Sequence, residues 1–171
     1  MRREQMSPKA QKNRNRRRRP FRGIFLFKTA VEAIKARNFV WEFYNPRSTD
    51  KSKVCYNFMT IEGDSIYFQA AWSTQGRMQE GFRQSVGKIE QLTMTPDKKG
   101  NMKVYMKADM TDVQSSWRTT WTLTSSFKLF KGSNAAPWMG GWEGYIVLPS
   151  QANVTRLSGS MPLNIPQGFI K

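Results

Sequence analysis

Lys88-Ile89-Glu90-Gln91-Leu92-Thr93-Met94-Thr95 runs into Pro96-Asp97-Lys98-Lys99-Gly100-Asn101 and leaves through Met102-Lys103-Val104-Tyr105-Met106-Lys107-Ala108-Asp109-Met110. In the outgoing run every even position from 102 to 110 is apolar, while 103, 107 and 109 are charged. Alternation with a period of two gives a strand one buried and one wet face. A turn holding Pro, Asp and Gly between two such runs makes an antiparallel hairpin. This hairpin sets the expected fold class: all-β, antiparallel.

The flanking sequence repeats the signal at short spacing. Val54–Ile61 and Ser65–Trp72 are strand-like runs joined by Glu62-Gly63-Asp64, a second hairpin. Trp117–Thr124 and Ser126–Lys131 read as two strands or one bent strand, and Gly144–Leu148 as a strand stopped by Pro149. Asn153–Leu157 is a further short candidate. Nearer the start, Phe25-Leu26-Phe27 looks like strand and Lys28–Arg37 like a short amphipathic helix, with Ala30, Val31, Ala33 and Ile34 on one side. Phe39–Tyr44 returns to strand, and Met78–Gln84 suggests a helical turn. About eight short strands with little helix predict a β-sandwich or barrel over residues 23–171.

Residues 1–22 are of another kind. They carry ten basic side chains (Arg2, Arg3, Lys9, Lys12, Arg14, Arg16, Arg17, Arg18, Arg19, Arg22) and one acid, Glu4, a net +9. The other 149 residues hold 18 basic and 11 acidic side chains, a net +7. The arm has little apolar surface to offset its ordering entropy, so it is expected to stay extended or mobile until it meets a polyanion. Such a cluster suits nuclear import, and it suits phosphate neutralisation on nucleic acid. Arg outnumbers Lys eight to two in the arm. Guanidinium forks onto phosphate and stacks on unpaired bases, which favours single-stranded RNA, with single-stranded DNA as the other possibility. Lys98, Lys99, Lys103 and Lys107 are expected to continue the positive surface onto the body.

The composition excludes several chemistries. There is no His and one Cys, Cys55, so triad-type nucleophilic catalysis, His metal ligation, a Cys-cluster zinc site and an intrachain disulfide are all out. Glycine-rich phosphate loops are absent. No enzyme activity, cofactor or metal is expected. Asp109 and Asp112, three apart, supply too few oxygens for a Ca²⁺ site, and Glu62 and Asp64 read as a solvated turn. Apolar runs fall far short of the roughly 20 residues that span a bilayer, and the polar N-terminus lacks a secretory h-region. No membrane partner is expected, and the compartment is reducing.

Two local features complete the reading. Pro137-Trp138-Met139-Gly140-Gly141-Trp142 sets two Trp around a Gly pair. Trp138 and Trp142 either form an aromatic platform or subunit contact, or their rings cover the end of the core. Cys55 is expected to be a buried small hydrophobe, and Met94, Met102, Met106 and Met110 ordinary core.

An Arg-rich arm ending near Arg22, followed by about 150 residues of short strands with aromatic loops, resembles the coat proteins of small icosahedral viruses and satellite viruses. Phe82–Pro96, an aromatic residue before an alternating strand that ends in Pro, is similar to that family's early strand. The resemblance implies an eight-stranded jelly roll over 23–171, an arm facing the genome, and homo-oligomeric assembly into a closed shell. It implies a place in the virion and in the host cytoplasm or nucleus. A sixty-copy shell at +16 per chain would carry 960 positive charges, enough for about a thousand phosphates. The competing expectation is a nucleic-acid-binding protein that forms no shell: a movement protein, a silencing suppressor or a ribosome-associated protein.

Overall fold

A computed structural model describes residues 23–44, 55–72, 81–113, 119–138 and 142–157. Residues 23–35 form a helix, α1. Seven strands follow: β1 (Asn38–Tyr44), β2 (Phe58–Glu62), β3 (Ser65–Trp72), β4 (Gly81–Pro96), β5 (Met102–Asp112), β6 (Thr120–Leu129) and β7 (Glu143–Val147), then a short 3-10 turn at Pro149–Gln151. They make one antiparallel sheet in the order β6-β5-β4-β3-β2-β1-β7. From β1 to β6 each strand pairs with its chain neighbour, and β7 returns to the free side of β1, setting Trp41 opposite Ile146.

The all-β, antiparallel expectation holds at that level. The eight-stranded jelly roll does not describe what the described residues form, because there are seven strands in a single sheet ordered as a meander. Residues 120–129 make one strand, the second of the two readings given for that region, and Asn153–Leu157 contributes only an isolated bridge, Val154 to Cys55. β4 is also longer than its hydrophobic pattern suggests. It starts at Gly81, so residues 81–84 are strand and not helical turn, and residues 78–80 lie outside the described set. Phe25–Phe27 belongs to α1 and not to a strand. Ala30, Ala33 and Ile34 lie three to four apart on the buried side, and the helix extends that periodicity backwards to Phe27.

The sheet curls until its ends meet. β1 and β6 stand five strand steps apart, about 24 Å in a flat sheet. Yet the rings of Trp41 on β1 and Phe127 on β6 lie 4.0 Å apart. The bend has a local cause. The β4–β5 register shifts between Ile89 and Gln91, leaving Glu90 as the extra residue of a bulge, and a bulged strand bends. The even positions of β5 that the sequence marks as apolar are the buried ones: Val104, Met106, Ala108 and Met110. They join Phe39, Trp41, Met59, Ile61, Ile89 and Leu129, with α1 against them, in one continuous inner core.

The outer face is not uniformly wet. Val40, Phe58 and Tyr67 form a second cluster on it, covered by Ala152 and Val154. Residues 152–157 lie along this face, held by buried polar side chains. Asn153 N–H donates to Glu42 Oε1 (2.8 Å). Gln69 Nε2 donates to the carbonyls of Tyr56 (2.9 Å) and Thr155 (3.0 Å), and Gln69 Oε1 accepts from the Leu157 N–H (3.0 Å). Gln84 Nε2 donates to Gln69 Oε1 (3.0 Å) and to the Leu157 carbonyl (2.9 Å). Paired this way, two buried Gln side chains cost little.

Candidate functional site

Three features could bear function: the aromatic inner end, a buried arginine on the outer face, and a cationic end of the sheet. All ten basic residues of the arm, Arg2, Arg3, Lys9, Lys12, Arg14, Arg16, Arg17, Arg18, Arg19 and Arg22, lie outside the described residues. The described part of α1 starts at Gly23, the residue that follows the arm.

Trp138 and Trp142 face each other across an isolated antiparallel bridge, with Trp138 N–H donating to the Trp142 carbonyl at 3.0 Å. Both are half-buried and pack on the core. The Trp138 ring lies 4.8 Å from Trp41, 4.5 Å from Phe43 and 6.3 Å from Phe68. The rings therefore cover the end of the core, one of the two sequence expectations. They also wall a cleft of about 220 Å³, completed by Phe43, Asn57, Phe68 and Ala70. Such a cleft is large enough for a flat ring and is lined mainly by aromatic faces. Trp121 packs at the rim of the same cluster, 6.2 Å from Phe68, with the Arg83 guanidinium 4.5 Å over its ring.

Asp112 organises that rim. It takes both arms of Arg83 at 2.9 Å, the Ser85 hydroxyl at 2.6 Å and the Trp121 indole N–H at 2.9 Å. Partial burial pushes its carboxyl up, but the three donors prevail and hold it below the usual carboxylate range. Asp109 lies on the other side of the strand, because a spacing of three reverses the face. The two carboxylates thus cannot share an ion. Asp64 pairs with Arg37. No group of three or more His, Cys, Asp or Glu among the described residues could hold a metal ion.

Cys55 is buried and its thiol donates to the carbonyls of Phe43 (3.3 Å) and Asn57 (3.0 Å). Burial pushes its pKa up to about 11, which leaves it protonated and inert at neutral pH. Arg156 is the unusual outer-face residue. Its guanidinium stacks 4.1 Å over the Tyr67 ring, and its three nitrogens are shut off from water without a hydrogen-bond acceptor among the described residues. Burial lowers its pKa. Sequence reasoning missed it, since nothing near 156 marks a buried charge.

The cationic end is built from two turns. The β4–β5 turn carries Lys98 and Lys99. Lys103 on β5 stands directly opposite Lys128 on β6, and Lys131 follows in the next turn. Lys131 N–H donates to Asn101 Oδ1 at 3.0 Å, joining the two turns. Asp97 is the acid there. It receives Asn101 Nδ2 (2.9 Å), Asn101 N–H (3.0 Å), Lys99 N–H (2.8 Å) and the Lys128 ammonium (3.2 Å). The Asn101 side chain first, then the backbone donors and Lys128, hold its carboxyl far below the ordinary range. Of the four lysines expected to continue the arm's charge, Lys98, Lys99 and Lys103 gather at this end. Lys107 instead pairs with Glu90 of the bulge.

No protein-family model and no curated protein matches the chain. Among solved structures the chain is similar to a DUF4251 family protein from Bacteroides eggerthii. The two share 17% sequence identity with a TM-score of 0.49, over 76% of this chain and 92% of that one. No helix among the described residues is long and apolar enough to cross a membrane.

Proposed function

We propose that the protein binds single-stranded nucleic acid, RNA in preference, through the arginine-rich arm of residues 1–22, with the curled sheet as the folded body that carries the arm. The observation that supports this reading is the charge balance. The arm's +9 has no counter-charge to fold against. Four of the body's eleven acids are already paired with the body's own cations: Asp64 with Arg37, Glu90 with Lys107, Asp97 with Lys128 and Asp112 with Arg83. Glu42 is buried and accepts from Tyr44 and Asn153. A polyanion from outside is the partner that suits this distribution. Phosphate neutralisation releases counterions and reads no base sequence.

The test is fluorescence anisotropy of a labelled oligouridylate across a salt series. Nine net charges engaged on a single strand give a log–log salt slope of roughly −6. Replacing Arg16, Arg17, Arg18 and Arg19 together with Gln should make the slope shallower by about 3. Salt-independent binding, or a slope unmoved by the four substitutions, overturns the proposal.

The second reading is the shell-forming coat protein, favoured by the +16 of each chain, which matches electrostatic packaging in a sixty-copy shell. It shares the arm chemistry and adds self-assembly. Sedimentation of the protein mixed with RNA separates the two. A large uniform particle with nuclease-resistant RNA supports the shell, and a monomer or small oligomer with digestible RNA supports the binding protein.

A further inference from the structure

We infer that the end of the sheet made by the β4–β5 turn and the turn after β6 is a second contact for the strand held by the arm, with lysines on its phosphates and an exposed phenylalanine under its bases. This rests on the reading of the arm as a nucleic-acid-binding segment and locates where on the body the strand continues.

Three observations converge there. The first is position. A Cβ placed on Gly23 would lie 2.2 Å from the Gly132 carbonyl oxygen, so the first described residue of α1 abuts the turn after β6. The arm therefore joins the body beside this turn. The second is charge. The two turns and the strand ends beside them carry Lys98, Lys99, Lys103, Lys128 and Lys131 against one carboxylate, Asp97, a local net of +4. Lys103 and Lys128 are direct cross-strand partners, an arrangement that costs stability unless an anion lies between or above them. Asp97 neutralises only the Lys128 half of this couple, at 3.2 Å, and its remaining contacts go to Asn101 and the Lys99 N–H, so Lys103 has no carboxylate partner among the described residues. The third is apolar exposure. Ile24, Phe25 and Phe130 are the large hydrophobics left exposed among the described residues, at 50%, 67% and 43%. All three lie within two residues of the Gly23–Gly132 contact.

Exposed aromatic rings beside a cationic track are what a single strand needs, because bases stack on rings while phosphates meet ammonium groups. Lysine suits this second contact. It offers point charges without the planar fork that would fix one phosphate geometry. The arm captures the strand, and this end of the body extends the footprint.

The experiment uses the full chain in two variants. One carries Lys98→Gln, Lys99→Gln and Lys103→Gln, and spares Lys131 and Lys128, whose ammonium pairs with Asp97. The other carries Phe130→Ala. Each is titrated with a long oligouridylate and with inorganic polyphosphate, which has the charge but no bases. The triple variant should make the salt slope shallower by about 2 for both probes. Phe130→Ala should weaken the oligouridylate about tenfold and leave polyphosphate unchanged. Parent-like binding by both variants, with the arm still required, overturns this contact and leaves the arm reading standing. Failure of the parent chain to bind either probe overturns both.

Discussion

Gly144→Ala tests the closure of the sheet more sharply than any other single change. Gly144 lies on β7, and a Cβ there would sit 2.0 Å from the Ala136 carbonyl oxygen and 2.6 Å from Trp41 Nε1. Real contacts of this kind do not fall below about 3 Å, so residues 134–136 must move away from β7 by about 1 Å. That movement breaks two hydrogen bonds: Ala136 N–H to the Gly144 carbonyl, 2.8 Å, and Trp41 Nε1 to the Ala136 carbonyl, 2.8 Å. Overpacking costs about 1–3 kcal/mol. Each lost bond adds about 1 kcal/mol. The expected loss is about 4 kcal/mol, which lowers the melting temperature by roughly 8–16 °C in a chain of this size. Circular dichroism melting measures it. Gly63→Ala is the control, because a Cβ there meets nothing within 4 Å while φ is +58°. Its cost is the left-handed backbone penalty alone, about 1 kcal/mol. A Gly144→Ala protein that melts within 2 °C of the parent, or above Gly63→Ala, would refute the crowding argument.

Two further outcomes follow from the charged groups. Asp112 is held below its ordinary pKa in the folded state, so the unfolded chain binds more protons near pH 4, and this group's stabilisation is lost as pH falls from about 4 through the lower folded value. Asp112→Asn should reduce stability at pH 7 and flatten the acid limb in urea unfolding from pH 7 to 2; parallel profiles for the two proteins would contradict it. For Arg156→Met the sign is the test. The change gives up a cation–π contact of about 2 kcal/mol but removes a buried charge without acceptors among the described residues, which costs several. The variant should be more stable by about 1 kcal/mol in urea, and a loss of stability would show that the Tyr67 stack outweighs desolvation.

The period-two pattern of residues 102–110 made β5 legible, because burial on one face leaves its mark on every second residue. The turn at Asp97–Asn101 and the two-residue hairpin at Gly63-Asp64 were legible from turn chemistry, and both glycines adopt positive φ. Phe25–Phe27 misled because a short apolar run looks alike in strand and helix; only its continuation through Ala30 and Ile34 assigns it. Strand order was hidden, since no local signal says that β7 returns to β1 and not to β6. At the candidate sites, the basic arm and three of the lysines were plain in the sequence. Lys128 and Lys131 were not, because they arrive beside Lys98 and Lys103 only through the pairing of β5 with β6. Gln69, Gln84 and Glu42 were missed for the opposite reason. They stand at outward positions that normally meet water, and only the docking of residues 152–157 buries them.

The meander also dictates an order of folding events. From β2 to β6 every pairing joins neighbours in the chain, so each hairpin closes a short loop and forms early. The pairing of β1 with β7, which sets Val40 against Val147, must instead close a loop of 107 residues. The entropic cost of that closure makes the β1–β7 seam the last to form and the first to open. Native-state amide exchange should therefore find Tyr145 and Val147 opening at lower free energy than Met106 in the hairpin core.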